Sequence, residues 1–179
     1  MYIHEMSDAE CRKALREASH GRLGCARENH PYVVPIYFSF DGGHLYSFTT
    51  LGQKIEWMRS NPNVCLEIDK RYSHDDWMSV IVFGRYEELP DKPQFASARA
   101  EAHELLQRRV MWWEPAYLGA EHRDRPHSVT PIFYRILIDR ITGRRATPND
   151  VEPESSIADA RTQPPRWWTS LLGRMRGGD

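Results

Sequence analysis

Residues 32–64, YVVPIYFSFDGGHLYSFTTLGQKIEWMRSNPNV, carry the most informative structural pattern of the chain. Two apolar runs rich in β-branched and aromatic residues flank Asp41-Gly42-Gly43, a pattern typical of a β-hairpin. A charged segment, residues 53–60, follows the second run. It is predicted to be a short helix that ends before Asn61-Pro62, because a residue that precedes proline disfavours helical backbone. The stretch therefore predicts strand, turn, strand and helix in succession.

The junction between the second strand and the short helix carries polar groups that can hold an anion. They are two hydroxyls, a glycine, an amide and an ammonium group: Thr49, Thr50, Gly52, Gln53 and Lys54. Free N–H groups at a helix start, a hydroxyl and a lysine can together bind a phosphate. The spacing is not that of a Walker loop. On this stretch alone, an ordinary strand–helix junction with solvated polar side chains remains the alternative.

The remaining chain adds strands and two more helices. Ser7-Asp8-Ala9-Glu10 has the form of a capping box and begins the first helix, which is predicted to end at His20-Gly21 with Gly21 in the left-handed conformation. A third helix begins at Asp91-Lys92-Pro93. Gly84 interrupts a long β-branched run and predicts a bulge or a close backbone approach. The six predicted strands are residues 22–27, 32–40, 44–49, 64–69, 77–89 and 129–141, the last of them ended by Thr142-Gly143.

Hairpin connections dominate this pattern and no βαβ alternation occurs. The fold class is therefore predicted to be mainly β, a six-stranded antiparallel barrel with helical insertions. Residues 1–146 are predicted to form this domain. Residues 147–179 change composition, and they are predicted to be a flexible linker followed by a short amphipathic basic tail. The tail could contact a membrane or a partner, and the alternative is that it folds back or stays disordered.

The bulk composition excludes several classes of partner and site. The 24 basic and 25 acidic side chains nearly cancel, so no global field favours nucleic acid or an anionic membrane. Cys11, Cys25 and Cys65 share no metal-ligand spacing and are expected to be reduced thiols. That spacing gives no reason to expect a metal site. No signal peptide and no membrane-spanning run is visible, so we expect a cytoplasmic protein. His122 and His127 are expected to be loop histidines.

The chain resembles the pyridoxamine 5′-phosphate oxidase-like superfamily of FMN-binding split β-barrels. More narrowly, it is similar to the small bacterial proteins grouped with nitroimidazole-resistance reductases and flavin reductase-like proteins. The matching pieces occur in order over roughly residues 5–146. After the N-terminal helix they are GRLG, PYVVPIYFSFDGGHLYSFTTLGQKIEWMRSNPNVCLEID, WMSVIVFGRYEEL and IFYRILIDRITGRRA.

The resemblance implies FMN as cofactor and assigns site residues. Gln53 and Lys54 match an Arg-Lys pair that holds the FMN phosphate, and Thr49 and Thr50 match hydroxyl-bearing positions upstream. The strand whose backbone faces the flavin ring corresponds to Val34, Pro35 and Ile36. Ser79 matches a position that supplies a polar side chain from the partner subunit of a homodimer, with Trp77 beside it.

Two departures from the family pattern bear on function. Gln53 in place of arginine removes a positive charge from the phosphate site, and Ser47 stands where nitroimidazole-reductase relatives have a histidine. The function expected is an FMN-binding oxidoreductase that moves electrons from NAD(P)H or a similar donor to a small-molecule acceptor. The alternatives are a flavin-binding protein without catalysis and a haem-binding split barrel. No catalytic acid or base is assigned.

Overall fold

The computed structural model describes residues 1–108 and 131–148. This part of the chain forms one eight-stranded antiparallel sheet, three α-helices and one 3₁₀ turn. The helices are α1 (Asp8–Glu17), α2 (Gln53–Ser60) and α3 (Ala96–Gln107). The strands are β1 (Tyr2–Glu5), β2 (His20–Arg27), β3 (His30–Tyr37), β4 (Ser39–Phe40), β5 (His44–Thr49), β6 (Asn63–Arg71), β7 (Trp77–Glu88) and β8 (Ile132–Thr147).

The sheet curls until its two ends meet. Its strand order is β3-β2-β6-β7-β8-β5-β4, with β1 paired to the second half of β8. Strands β3 and β4 stand at opposite ends of this order, yet only Phe38 separates them along the chain. The ends are also joined directly, because Ser47 Oγ on β5 donates a 2.7 Å hydrogen bond to the carbonyl oxygen of Tyr37. The result is the predicted split barrel.

The core follows from strict alternation along the central strands. Val64, Leu66 and Ile68 of β6 are buried, and their neighbours along the strand face outward. On β7 the buried set is Met78, Val80 and Val82. Helices α1 and α2 cover the open sides of the barrel, and α3 closes a smaller apolar cluster built around Tyr46 and Leu89. One face of the sheet is therefore apolar core, and the other is left outside.

The structure confirms the predicted fold class and extends its strands. All six predicted strands are present; β1 is added, and the predicted strand 32–40 is divided at Phe38 into β3 and β4. The capping box at Ser7 and Glu10 is formed. Gly84 lies at a register shift between β7 and β8, as the bulge prediction requires. A Cβ at Gly84 would also lie 2.8 Å from Ile136 Cγ2, so the close approach is real as well.

Two predicted strand and helix boundaries are wrong for a common reason. Gly21 does not end α1 in the left-handed conformation, since it lies inside β2, paired with Ile36. Gly143 does not end the last strand, because β8 continues to Thr147. An added Cβ would lie 2.6 Å from the Glu67 carbonyl oxygen at Gly21 and 2.6 Å from Cys11 Sγ at Gly143. Both glycines allow close packing rather than a turn.

Candidate functional site

The first turn of α2 is an uncapped helix start that faces open space. Strand β5 ends at Thr49, and Gly52 occupies the N-cap position, where it offers no side-chain acceptor. The Gly52 carbonyl oxygen accepts from the amides of Ile55 at 2.9 Å and Glu56 at 3.2 Å. The amides of Gln53 and Lys54, which precede these two, have no acceptor within the helix. Nothing lies within 4 Å of a Cβ built at Gly52, so no neighbouring group of the described chain crowds the position just before the helix.

Lys54 adds a positive charge that the described chain does not neutralise. Its side chain is half-buried, and burial lowers its pKa. The Cys25 thiol acts in the opposite direction and partly offsets this effect. Among the residues that the structure describes, no carboxylate forms an ion pair with the Lys54 ammonium group. A bound anion would supply the missing counter-charge.

The position of α2 is fixed by packing along its length. Ile55 and Met58 are fully buried in the barrel core. Trp57 lies against Tyr32 of β3, with ring centroids 5.5 Å apart. Just after the helix, Asn61 Nδ2 donates a 2.9 Å hydrogen bond to the Ala26 carbonyl oxygen. The helix is therefore held beside the β2–β3 hairpin.

The predicted ring-binding strand is β3, and its three predicted residues divide between two faces. Ile36 is buried in the core and Val34 is half-buried on the same face. Pro35 is exposed on the opposite face, where it is paired with Arg22 of β2. Within the described ranges, β2 is the one strand paired with β3, so no strand of this part of the chain is hydrogen-bonded along the other edge of β3. Thr49 and Thr50 are half-buried and Gln53 is exposed at the helix start.

Trp77 and Ser79 lie on the outward face of β7, whereas α2 packs its buried residues into the core on the inward face. They alternate with the buried Met78 and Val80, and they line a cavity of about 520 Å³. Ser79 Oγ donates a 3.2 Å hydrogen bond to Glu67 Oε1 on β6. Within one chain, the structure thus groups the predicted site residues at the start of α2. It does not bring Trp77 and Ser79 into that group.

Ser47 is not a surface position. It is 2% exposed, and its hydroxyl is used by the hydrogen bond to Tyr37 inside the barrel. Next to it in register, Tyr134 is fully buried, and burial raises its pKa to about 12. Ser47, which stands where nitroimidazole-reductase relatives have a histidine, is therefore a small core residue whose hydroxyl already forms a hydrogen bond.

The structure also shows polar residues that sequence reasoning missed. Arg22 Nη1 donates to Glu67 Oε2 at 3.0 Å and to Asp69 Oδ1 at 2.5 Å, and this network holds the carboxylate that Ser79 contacts. Alternation along β6 places Glu67 and Asp69 on one face, but only the strand register brings Arg22 to them. Cys25 beside Lys54 had no signal in the sequence either. His122 and His127 lie outside the described ranges.

Two kinds of feature are absent from the residues that the structure describes. No group of three or more histidine, cysteine, aspartate or glutamate side chains is arranged to hold a metal ion. No helix there is both long and apolar enough to cross a bilayer.

Comparisons with known proteins agree with this geometry. The sequence profile described as pyridoxamine 5′-phosphate oxidase matches residues 7–145. An uncharacterized protein of Rhizobium meliloti is 40% identical over 146 residues, which cover 82% of this chain and 97% of that protein.

Solved structures show the same similarity. The crystal structure of a FAD-binding protein of Mesorhizobium loti is 41% identical, covers 82% of this chain and 100% of that one, and has a TM-score of 0.68. A FAD-binding protein of Mycobacterium smegmatis is 24% identical, with a TM-score of 0.59 and coverage of 80% and 100%, and shares the fold. The chain therefore belongs to the pyridoxamine 5′-phosphate oxidase family.

Proposed function

We propose that the protein is an FMN-binding oxidoreductase that holds the cofactor phosphate at the first turn of α2. The observation that carries this proposal is Lys54, a half-buried ammonium group without a carboxylate partner in the described chain, next to an uncapped helix start. Both features favour a negative charge at the same point. The FAD-binding relative from Mesorhizobium loti, 41% identical to this chain, supports a flavin as the ligand.

The residues present fit a flavin phosphate in charge and in space. A helix N-terminus stabilises an anion by about 0.3–1 kcal/mol, and a charge-assisted hydrogen bond contributes about 1.5–3 kcal/mol. The exposed Gln53 can add an amide donor without adding charge. Gly52 leaves the approach open. Thr49 and Thr50, at the end of β5, are close enough along the chain to add a hydroxyl to the same phosphate.

The rest of the proposed site needs a second copy of the chain. Val34, Pro35 and Ile36 are proposed to face the flavin ring through the edge of β3 along which no described strand is hydrogen-bonded. Trp77 and Ser79 lie on the outward face of β7, whereas α2 of the same chain packs into the core on the inward face. They can therefore reach a flavin only from a partner subunit, and the site is proposed to lie between two subunits of a homodimer.

An apolar row on the outward face supports such a dimer. Val33, Gly24, Cys65 and Phe83 are paired in register across β3, β2, β6 and β7. Val33 is 63% exposed and Phe83 is 36% exposed. Arg140 covers one side of the Phe83 ring at 4.4 Å. A two-fold pair of chains would bury both copies of this row.

A bound flavin supplies the electron chemistry, accepting electrons from NAD(P)H or a similar donor and passing them to a small-molecule acceptor. The chain's own part in this proposal is to bind the phosphate, to place the ring against β3 and to exclude water. No acid or base of the described chain is assigned a role in the reaction.

The absorbance spectrum of the purified protein tests the proposal. Bound flavin gives paired bands in the near ultraviolet and the blue, whereas haem gives one intense Soret band. Titration of cofactor-free protein with FMN and with FAD then identifies the flavin, and an NAD(P)H oxidation assay separates an oxidoreductase from a protein that only binds. Failure to bind either flavin contradicts the proposal.

A further inference from the structure

A second cavity lies beside Trp77, at the turn between β6 and β7. Its volume is about 440 Å³, within the range of small-molecule sites. The side chains that matter for its chemistry are Lys70, Arg71, His74, Trp77 and Ser79. It shares Trp77 and Ser79 with the larger cavity that Glu5 and Arg144 line. The two cavities are therefore adjacent, and molecules bound in them would be neighbours beside Trp77.

The charges of this second cavity leave an excess of positive groups. Lys70 is neutralised by Glu17, with Nζ and Oε2 2.9 Å apart, and the lining Asp69 is paired with Arg22. Arg71 and His74 form no ion pair with a carboxylate in the part of the chain that the structure describes. Arg71 Nε makes one long contact, 3.4 Å, with the Ser73 carbonyl oxygen.

The acidic residues of the turn lie outside the lining of this cavity, although Asp75 and His74 are close enough to interact electrostatically. Asp75 and Asp76 are not among its lining residues. The Asp75 carboxylate accepts a 2.5 Å hydrogen bond from Ser73 Oγ, which is the main cause of its lowered pKa. The cavity therefore presents a guanidinium group and an imidazole to an anion.

The aromatic wall completes a recognisable chemistry. Arg71 and Trp77 are directly opposite each other in the β6–β7 register, so a cation and a planar ring face one site. A guanidinium group binds phosphate through paired donors, and an indole ring stacks on a planar heterocycle. A phosphate joined to an aromatic base has both features, whereas free phosphate uses only one.

We propose that this second cavity binds the phosphorylated adenosine part of a pyridine nucleotide, with a phosphate on Arg71 and the base against Trp77. The inference rests on the proposed function, since it names the donor of that same site. The shared wall explains how such a donor would lie next to a flavin whose ring contacts Trp77 and Ser79.

The test is calorimetric titration of the purified full-length protein with adenosine 2′,5′-bisphosphate, with inorganic phosphate as a separate arm. The nucleotide is expected to bind, and Arg71→Gln is expected to weaken that binding by about tenfold or more, the usual effect of a charge-assisted contact. Arg71 is exposed, so the variant should fold, and its melting curve checks this. Arg85→Gln is the matched control, because Arg85 is an exposed arginine paired with Asp139 outside this cavity.

Each outcome decides between the two proposals. Flavin-loaded protein that does not bind the nucleotide overturns the inference and leaves the proposed function standing. Equal weakening by Arg71→Gln and Arg85→Gln, or inorganic phosphate binding as tightly as the nucleotide, also overturns it. Loss of flavin from Arg71→Gln would assign the cavity to the flavin itself and overturn the inference. Protein that binds the nucleotide but binds neither FMN nor FAD contradicts the proposed function and leaves nucleotide binding at this cavity standing.

Discussion

Arg59, in the last turn of α2, forms two parallel hydrogen bonds with Glu88 at the end of β7. Nε donates to Oε2 and Nη2 donates to Oε1, both at 2.8 Å. Tyr86 Oη donates to the same carboxylate at 2.9 Å. This clamp holds the C-terminal end of the helix whose first turn carries Lys54. The candidate anion site is thus anchored from the far end of a short helix.

Replacing this carboxylate should destabilise the fold in a pH-dependent way. The hydrogen bonds from Arg59, followed by that from Tyr86, hold the pKa of Glu88 below its ordinary value. A lowered folded-state pKa contributes stability above the unfolded pKa, and this contribution is lost as the pH falls through the folded pKa. Glu88→Gln should therefore cost roughly 1–3 kcal/mol at neutral pH, and its deficit should shrink in acid.

Thermal melts of both proteins between neutral pH and about pH 3 measure this difference. The control is Glu104→Gln, which removes an exposed pair with Arg108 on α3 and should change stability by less than about 1 kcal/mol. A deficit for Glu88→Gln that is the same at every pH would show that the clamp is not ionic.

Gly84→Ala should destabilise the protein by about 1–3 kcal/mol, because the added Cβ meets Ile136 and the Leu137 backbone at the β7–β8 bulge. Gly52→Ala is the matched control. Its backbone is extended and its surroundings are open, so it should be neutral or slightly stabilising. Denaturant unfolding compares the two variants. Equal effects would contradict the close approach at Gly84.

The apolar row on the outward face, which ends at Phe83, predicts a homodimer. A charged side chain introduced into this row should dissociate the dimer. Phe83→Glu should give a folded monomer in light scattering at micromolar concentration, because it would bury two carboxylates at the two-fold contact. The monomer should also lose flavin, since Trp77 and Ser79 of the partner are then missing from the site. Tyr72→Glu, at an exposed aromatic outside the row, is the control and should stay dimeric. A wild-type protein that is monomeric with flavin bound would refute the shared site.

Local patterns in the sequence predict most of this fold, and long-range contacts explain what they miss. The capping box at Ser7 and the hairpin at Asp41-Gly42-Gly43 depend on neighbouring residues, and both are present. Gly21 and Gly143 look like stops in sequence, but each is a glycine because another segment packs against it. That partner lies far along the chain, so no local pattern contains it. Strand β1 has no clear signal in the sequence because it is short and mostly exposed.

The candidate site shows the same limit. The order of polar residues along the chain is enough to place Lys54 at a helix start. Its burial beside Cys25 depends on how α2 packs on β2, which is a tertiary relationship. Likewise, the pattern of β7 gives Trp77 and Ser79 one face, but only the folded structure shows that α2 packs its buried residues on the opposite face.

The C-terminal residues should be dispensable for flavin binding. The sequence predicts a domain boundary after residue 146, and β8 continues to Thr147, which is paired with Tyr2. A protein shortened after Pro148 keeps this pairing and should retain the flavin spectrum and affinity of the full chain. We expect the shortened protein to differ from the full chain in its localisation or its partner contacts. Loss of flavin on truncation would assign the tail to the site and refute the predicted boundary.

The affinity of cofactor-free Lys54→Ala for FMN tests whether the flavin phosphate lies at the start of α2. Binding should weaken by roughly ten- to a hundredfold, which corresponds to about 1.5–3 kcal/mol for one charge-assisted contact. Gln53→Arg should tighten it, because it adds a second positive charge at the same helix start. Lys92→Ala, an exposed lysine before the 3₁₀ turn, is the control and should bind as the wild type does. If Lys54→Ala and the wild type bind FMN equally, the phosphate does not lie at the start of α2 and the proposed site is wrong.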